Sequence, residues 1–474
     1  MFSEKARLLA AVFISGACSM LLEIAGGRSL YPYLGNTIYT WAGSIGIVLA
    51  ALSLGYYFGG IMSDRLRERR HLSYILALAG LCTATVPFLA LLFGPLASTS
   101  GMLLASVSLP LILAPAALLY GMVSPYAIRL VSKSETAGTD AGSIFALSTV
   151  GSILGVLATG FVLIPYVGLT HTFALGFALM LVAAALLNPL KKSDSAGVLV
   201  LALAFAVLWG SDLSPDIAGQ NMLFKQDSQY SLVRVADMEI GGIDSHILVI
   251  DNVVSSGEAE GGFPVFPYVQ VAARSFDYVL EPKNALVIGC AAGTQAEQLK
   301  KRFLLLRVDC VDIDPLVIYA GKRFFSLNDS DGRTGVYVED GRRFLEGSAK
   351  KYDIILVDAF KSLSPPPHLL TREFVLAINR SMSNDSVVAV NIIAKSGGRG
   401  AFLQRMYDTY KSVFKNVYVI EVPVDAPLSN YIIISSNIGN PEFAKRYASE
   451  FIAMNYTGMP LTDDSNPAEI LTGY

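Results

Sequence analysis

Two stretches, 285–293 (ALVIGCAAG) and 308–314 (VDCVDID), decide the fold of this chain. The first is a short apolar run that ends in a turn bounded by Gly289 and Gly293. The second is an apolar run that ends in Asp312, about twenty residues after the turn. A glycine turn lets the backbone approach a ligand closely, and the carboxylate can accept hydrogen bonds from ribose hydroxyls. The pattern therefore predicts a doubly wound α/β sheet that binds a nucleoside.

The same region lacks the features that hold a pyrophosphate. It has no third glycine of a dinucleotide fingerprint, and no Lys-Ser or Lys-Thr of a phosphate loop follows the turn. Two further carboxylates instead follow predicted strands. Asp340 is placed to accept from the amine of adenine while the backbone at Gly341 meets the ring, and Asp358 ends the strand 352–357. Either aspartate could also cap a helix, which is the more common role.

The first part of the chain is apolar enough to lie in a membrane. The protein has 474 residues, of which 53% are hydrophobic and 16% charged. Apolar runs near the ~20 residues that span a bilayer occur at about 7–27, 39–62, 73–97, 102–128, 143–165, 169–189 and 196–210, the last being short. We therefore expect a helical transmembrane bundle at 1–210, a small β-hairpin subdomain or linker at 211–255, and a Rossmann-like domain at 256–474.

Basic residues fall in loops that would lie on one side of the membrane, which should be the cytoplasmic side. If the seventh run spans, the C-terminal domain lies outside, and if that run is interfacial, the domain lies inside. Both arrangements remain open.

Other functional classes find little support in the composition. A net charge of −3 gives no indication of nucleic-acid binding. The histidines are scattered, so we expect no metal site. The four cysteines have no CxxC spacing, and Cys18 and Cys82 lie in apolar runs, so we expect no disulfide framework.

The order of the motifs resembles the spermidine synthases, and more closely the bacterial proteins in which a multi-pass membrane segment is fused to a spermidine synthase-like domain. The resemblance covers about 229–430 and rests on five motifs: ALVIGCAAG, VDCVDIDP, VEDGRRFL, YDIILVDAF and HLLTREF. It implies a class I S-adenosylmethionine-binding fold for the C-terminal domain. It also implies that the protein is located in the bacterial inner (plasma) membrane. The implied activity is that of a transferase of aminopropyl-type groups.

By this resemblance the substrate is S-adenosylmethionine or its decarboxylated form, a nucleoside sulfonium, with a polyamine as acceptor. An amine attacks the three-carbon arm next to the sulfonium, and methylthioadenosine leaves. The resemblance implies that Asp312 holds the ribose, Asp340 holds the adenine and Asp358 takes the amine proton. Because a sulfonium is already a good leaving group, alignment and proton removal are the main tasks.

Departures from the family lie around the arm and the amine. The aspartate of the family's Gly-Gly-Gly-Asp-Gly turn is Ala292 here, and an aspartate after the fourth strand becomes Lys361. Upstream, Tyr268 is kept, but the histidines and the glutamate near it are lost, and Arg274 takes one of their places. The family's Tyr-Gln pair at the start of the domain becomes Tyr230-Ser231. We predict a substrate-binding role for Tyr230, Tyr268, Arg274 and Lys361, although both cations could equally be solvated surface charges.

These departures leave several functions open. Lost acids weaken the binding of a dication such as putrescine, whereas added cations suit the carboxylate of intact S-adenosylmethionine. That carboxylate could itself attack the arm, which is a lyase reaction that gives homoserine lactone. The alternatives from other classes are an S-adenosylmethionine-dependent methyltransferase and a nucleoside-sensing transporter. Within the apolar part, Glu23 and Arg28 are most simply a structural ion pair, and the small residues there would also allow a homodimer.

Overall fold

The computed structural model of the protein describes residues 3–35, 37–98, 102–132, 137–188, 205–211, 213, 217, 220–251, 253–359, 366–397, 400–422 and 427–471. The chain divides into two compact units, Met1–Asp216 and Ile217–Tyr474. The N-terminal unit is helical, and the C-terminal unit contains two sheets.

Long helices make up the N-terminal unit. They are α1 (Glu4–Leu34), α2 (Ile38–Arg65), α3 (Arg69–Ser98), α4 (Met102–Ser108), α5 (Ala114–Val131), α6 (Ala137–Ala158) and α7 (Leu169–Leu187). In the described ranges, six helical segments are long and apolar enough to cross a membrane, and the fourth of them joins α4 to α5. The seventh run expected at 196–210 lies mostly outside the described residues, so both sides of the membrane stay open for the C-terminal unit.

Prolines mark the irregular turns of this unit. A 3₁₀ segment, Leu109–Leu113, contains Pro110 and joins α4 to α5, and a π-helical segment, Thr159–Val167, contains Pro165 and follows α6. Because proline has no backbone N–H and clashes with the preceding turn, it disturbs the regular hydrogen-bond ladder of an α-helix. Each of these two irregular segments therefore contains a residue that disfavours a regular α-helix.

Some glycines of α2 allow close approach of helix backbones. A Cβ atom built on Gly55 would lie 2.1 Å from the carbonyl oxygen of Leu118 in α5, and one built on Gly43 would lie 1.9 Å from that of Ser106. Around Gly46 and Gly60, in contrast, a Cβ atom would meet nothing within 4 Å. Only some of the α2 glycines therefore allow the close helix packing that small residues permit.

The larger sheet of the C-terminal unit has seven strands in the order β11-β12-β10-β9-β6-β7-β8. Its strands are β6 (Asn284–Ile288), β7 (Arg307–Asp312), β8 (Thr334–Val338), β9 (Tyr352–Val357), β10 (Met382–Lys395), β11 (Asn416–Val422) and β12 (Leu428–Ser436). The strands from β10 to β8 in this order are parallel, whereas β12 runs antiparallel to β10 and β11. This is the expected doubly wound sheet with an antiparallel edge.

Short helices connect and cover these strands. They are α8 (Pro267–Ala272), α9 (Thr294–Arg302), α10 (Pro315–Phe324), α11 (Gly341–Gly347), α12 (Arg372–Ser381), α13 (Ala401–Lys411), α14 (Pro441–Arg446) and α15 (Ala468–Leu471). The chain passes from β6 outward through β7 to β8, and then returns to place β9 on the other side of β6. The strand order thus reverses between β6 and β9, and such a switch point is where open α/β sheets bind ligands.

A smaller antiparallel sheet precedes the larger one. Its strands are β1 (Asn221–Asp227), β2 (Leu232–Ile240), β3 (Ile243–Ile250), β4 (Val253–Ala259) and β5 (Phe263–Pro264), and they lie in sequence order. The predicted hairpin corresponds to β2 and β3, which pair from Val233 with Ile250 to Ile240 with Ile243. The sheet extends past residue 255, the boundary expected from the sequence, because β4 and β5 continue the meander.

Candidate active site

The site lies where β6 and β9 end side by side. Ile288 pairs with Val357, so the glycine turn and Asp358 follow directly from neighbouring parallel strands. Gly289 has a φ of +79°, and a Cβ atom at this position would lie 2.4 Å from the carbonyl oxygen of Asp358. Glycine is therefore required here both by the backbone conformation and by the contact. Gly293, with a φ of +81°, ends the turn and precedes α9.

Asp358 is held by uncharged donors. The Gln295 Nε2 atom donates to Oδ2 at 2.7 Å, and the Asn391 Nδ2 atom donates to Oδ1 at 2.8 Å. The hydroxyl of Tyr268 also hydrogen bonds to this carboxylate. Asn391 is fixed in turn, because Asn430 Nδ2 donates to its Oδ1 at 2.8 Å. These described residues orient the carboxylate through uncharged groups alone.

Burial governs the protonation of this group. Burial raises the pKa of Asp358 to about 6, even though the hydrogen bonds from Asn391 and Tyr268 favour the ionised form. Burial and the neighbouring Asp358 charge raise the pKa of Tyr268, which therefore stays a neutral donor. A carboxylate with a pKa near 6 is ionised at neutral pH and is a stronger base than an ordinary aspartate.

Asp312, predicted to hold a ribose, stabilises the turns around it. One carboxylate oxygen accepts from the backbone N–H of Ala291 at 3.1 Å, and the other accepts from that of Asp314 at 3.0 Å. Ala291 has a φ of +47°, in the left-handed region that alanine rarely adopts. The carboxylate thus helps to hold the glycine turn in a strained conformation beside the site.

Asp340, predicted to hold the adenine or to cap a helix, caps a helix in the structure. Its Oδ1 atom caps α11 by accepting from the N–H groups of Arg342 and Arg343, both at 3.0 Å. Its Oδ2 atom lies 2.8 Å from His368 Nε2, and the hydrogen bond from His368 lowers the pKa of Asp340. Gly341 begins α11, where a Cβ atom would lie 2.3 Å from Ile288 Cγ2, so its small size lets the helix pack on β6.

A cavity of about 720 Å³ opens beside Asp340. Its lining includes Arg342, Glu346, His368 and Asp463. Arg342 is bidentate to Asp463 at 2.8 and 2.7 Å and also binds Glu346, so its charge is balanced within the cavity wall.

The residues predicted to bind substrate occupy different settings. Tyr268 lies beside Asp358, and its hydroxyl is 3.3 Å from the carbonyl oxygen of Ser255. Tyr230 is partly exposed next to Ser231, which donates to the buried Asp314 at 2.8 Å. Arg274 donates to Glu450 at 2.7 Å and lies over the Tyr447 ring, so its charge is already paired. Lys361 lies outside the described residues.

The sequence predicts no disulfide framework, but the structure contains one disulfide among the described residues. Cys290 in the glycine turn is bonded to Cys310 in β7, and their Cα atoms are 5.3 Å apart. Neighbouring parallel strands bring together residues that are separated by 20 positions, which the search for CxxC spacing could not detect. Cys18 and Cys82 are free thiols.

The sequence reasoning missed several polar residues of the site: Gln295, His368, Asn391 and Asn430. Each reaches the site through a contact with a residue at least 28 positions away, so no local motif marks them. For His368, its place in the HLLTREF motif was an available signal. Among the described residues, no group of three or more His, Cys, Asp or Glu side chains could hold a metal ion.

Comparison with known proteins finds relatives of the part of the chain that contains this site. The family model of the spermine/spermidine synthase domain matches residues 269–445. This range begins at the third residue of α8, directly after Tyr268, and includes the glycine turn and Asp358. The C-terminal unit contains a spermidine synthase-like domain. The resemblance noted from the motifs is confirmed for this part of the chain.

Curated relatives of this spermidine synthase-like domain include two kinds of transferase. A polyamine aminopropyltransferase from Vibrio vulnificus (strain CMCP6) is 30% identical over 177 residues, which are 36% of this chain and 56% of the relative. Putrescine N-methyltransferase 2 from Nicotiana tabacum is 25% identical over 189 residues, which are 39% of this chain and 51% of the relative. The chain thus spans about half the length of these curated relatives.

Among solved structures, a probable spermidine synthase from Corynebacterium glutamicum ATCC 13032 has a TM-score of 0.42 and 21% identity, with coverage of 51% of this chain and 89% of that chain. Human methyltransferase-like protein 13 in complex with SAH has a TM-score of 0.33 and 18% identity, with coverage of 40% and 96%.

The contact between the glycine turn and Asp358 leads to a prediction. Gly289→Ala adds a methyl group at a positive φ and against a backbone oxygen, so we expect a loss of more than about 1 kcal/mol of unfolding free energy. The measurement is thermal unfolding of the purified full chain. Gly347→Ala, in the open last turn of α11, is the control and should leave the transition unchanged or slightly raised. Equal behaviour of the two variants would contradict the proposed contact.

Proposed function

We propose that the protein is a membrane-bound enzyme that binds S-adenosylmethionine or its decarboxylated form and transfers the three-carbon arm to an amine, releasing methylthioadenosine. The observation that carries the proposal is Asp358, a half-buried carboxylate at the switch point of the sheet, with a pKa raised to about 6 by burial and with uncharged hydrogen-bond partners. Such a group is suited to removing a proton from an amine at neutral pH.

The chemistry of this transfer balances with one base. The lone pair of the amine nitrogen attacks the arm carbon next to the sulfonium, a C–N bond forms, and the C–S electron pair goes to sulfur. Methylthioadenosine leaves, and the nitrogen passes a proton to Asp358. Because the sulfonium needs no further activation, the residues of the site act by alignment and by accepting that proton.

The remaining aspartates support recognition of the nucleoside. A carboxylate oxygen has two lone pairs, so Asp312 and Asp340 can keep their present hydrogen bonds and still accept from a ribose hydroxyl and an adenine amine. Gly289, Gly293 and Gly341 keep the backbone close to the ligand. A lipid bilayer as partner, in a bacterial inner membrane, is supported by the six long apolar helical segments in the described ranges.

A second candidate reaction is the intramolecular one, in which the carboxylate of intact S-adenosylmethionine attacks its own arm. It is favoured by Ala292, which is fully buried in the glycine turn where the family carries an aspartate for the arm's amino group. The reaction would release methylthioadenosine without an amine. Methyl transfer, the reaction that the name of the Nicotiana relative gives, would instead release S-adenosylhomocysteine.

The first prediction of this proposal concerns the base. Asp358→Asn keeps the shape of the side chain but removes the proton acceptor, so we expect amine-dependent release of methylthioadenosine to fall by about 10²–10⁴-fold. The release is measured by mass spectrometry on the full chain in detergent or nanodiscs. Asp353→Asn, at the other end of β9, is the control, since its Oδ2 atom accepts from the backbone N–H groups of Lys283 and Asn284 and its Oδ1 atom accepts from Ser383. An undiminished rate in Asp358→Asn would exclude the role of base.

The second prediction concerns pH. Because the ionised form of Asp358 is the active one and its pKa is about 6, kcat/KM calculated on the concentration of neutral amine should rise as the pH increases through about 6 and then level off. Tyr268→Phe removes a hydrogen bond that lowers this pKa, so the acid limb should move to higher pH. Tyr278→Phe, whose hydroxyl binds the carbonyl of Ile438, is the control and should leave the limb in place. A limb that does not respond to Tyr268→Phe would contradict this assignment.

The third prediction concerns the base of the nucleoside. Asp340→Asn can still cap α11, but its amide would present an N–H₂ group where the carboxylate presented an acceptor. We expect binding of methylthioadenosine to weaken about 10-fold or more, and binding of methylthioinosine, which carries a carbonyl in place of the amine, to strengthen. Isothermal titration calorimetry measures both affinities.

The control for this swap is Asp329→Asn, which alters an exposed ion pair with Lys322. Its affinities for both nucleosides should equal those of the wild type. If Asp340→Asn leaves the preference for methylthioadenosine intact, adenine does not bind at Asp340.

A further inference from the structure

Gln295 lies beside the proposed base, and its contacts with the described residues leave part of its hydrogen-bonding capacity unused. It is the second residue of α9, directly after the glycine turn, and its side chain is only 7% exposed. Its Nε2 atom donates to Asp358 Oδ2 at 2.7 Å. The oxygen of the same amide, Oε1, is buried and has no hydrogen-bond partner among the residues that the structure describes.

The orientation of this amide follows from chemistry. An ionised carboxylate can only accept hydrogen bonds, so the N–H₂ end of Gln295 faces Asp358 and the carbonyl end faces away. Burying an acceptor without a donor costs free energy, and such groups in folded proteins call for an explanation such as a ligand. The Gln295 oxygen is therefore a hydrogen-bond acceptor that only the width of the Gln295 amide separates from the Asp358 carboxylate.

The second amide on Asp358 provides a comparison within the same network. Asn391 donates to the other carboxylate oxygen at 2.8 Å, but its own carbonyl oxygen accepts from Asn430 at 2.8 Å. Asn391 is thus satisfied at both ends by the protein. Gln295 differs from it in having an acceptor oxygen without a partner among the described residues, which identifies Gln295 as the amide suited to meet a ligand N–H.

We propose that Gln295 makes the enzyme selective for primary amines by accepting one N–H of the attacking nitrogen through Oε1, while Asp358 accepts the other. This inference rests on the proposed function. A neutral primary amine has two N–H groups and one lone pair, so fixing both N–H groups leaves the lone pair directed at the arm carbon. The nitrogen forms the C–N bond, sulfur takes the C–S electron pair, and Asp358 receives the proton.

A secondary amine has a single N–H and cannot satisfy both acceptors. When it donates to Asp358, the Gln295 oxygen stays buried and unpaired, and the nitrogen can rotate about its one hydrogen bond. A site that pairs with a substrate N–H discriminates against analogues that lack it, because its own polar group is then left without a partner. Selection of primary over secondary amines is therefore the expected signature.

The test compares putrescine with N,N′-dimethylputrescine as acceptors, with either sulfonium substrate and the full chain. Wild-type protein should favour putrescine in kcat/KM by about 10-fold or more. Gln295→Met, which keeps the length but has no carbonyl oxygen, should raise KM for putrescine and bring the ratio close to one. Gln295→Asn, which draws the amide back by one methylene, should show the same loss of preference if the methionine variant does not fold.

Gln298→Met is the matched control on the same helix. Gln298 donates to the carbonyl of Gly262 at 3.2 Å, so its replacement should leave the preference for putrescine unchanged. Binding of methylthioadenosine should equal that of the wild type in all three variants, because the inference concerns the amine alone.

The outcomes separate the two proposals. If the wild type transfers the arm to amines but Gln295→Met and Gln295→Asn keep the preference for putrescine, the role of Gln295 is refuted and the proposed function stands. If the wild type releases methylthioadenosine only without amine, or releases none, the amine-transfer function fails, and the inference fails with it.

Discussion

A half-buried carboxylate, Asp358, lies where two parallel strands end side by side, and the arrangement of the site around it follows from this position. Asp358 would be costly to bury in its ionised form without compensation. Two amides and a tyrosine hydroxyl supply that compensation, and each of them comes from a different element of the C-terminal unit. Their uncharged character matters, because a paired cation would lower the pKa of the carboxyl and weaken it as a base.

The geometry of the glycine turn follows from the same constraint. The turn must pass within contact distance of the backbone of Asp358, and only a glycine at position 289 permits this. The turn must then enter α9 so that Gln295 reaches the carboxylate. Asp312 holds the strained Ala291 from the neighbouring strand, and the bond between Cys290 and Cys310 joins the same two segments. The residues proposed for nucleoside recognition and for base chemistry thus lie side by side at the switch point of the sheet.

The sequence predicted the sheet and the strand-end carboxylates because those features are local. Apolar runs that end in glycine or aspartate mark β6, β7 and β9 without knowledge of their neighbours. The partners of Asp358 were not predictable in this way, since Asn391 lies 33 positions from it and Gln295 lies 63 positions from it. The pairing of Arg274 with Glu450 was not predictable for the same reason, because the two residues are 176 positions apart. A cation that an alignment places near a site can therefore be paired with a residue outside that site. The seven apolar runs were legible from composition, but whether each one crosses a membrane depends on packing and flanking charges.

Identification of the nucleoside product distinguishes cleavage at the three-carbon arm from methyl transfer. The purified full chain is incubated with S-adenosylmethionine or its decarboxylated form, with and without putrescine, and the nucleosides are identified by mass spectrometry. The account predicts methylthioadenosine that forms only when the amine is present. Methylthioadenosine without amine would favour the intramolecular reaction in its place. S-adenosylhomocysteine, or no nucleoside product under any of these conditions, would contradict cleavage at the three-carbon arm.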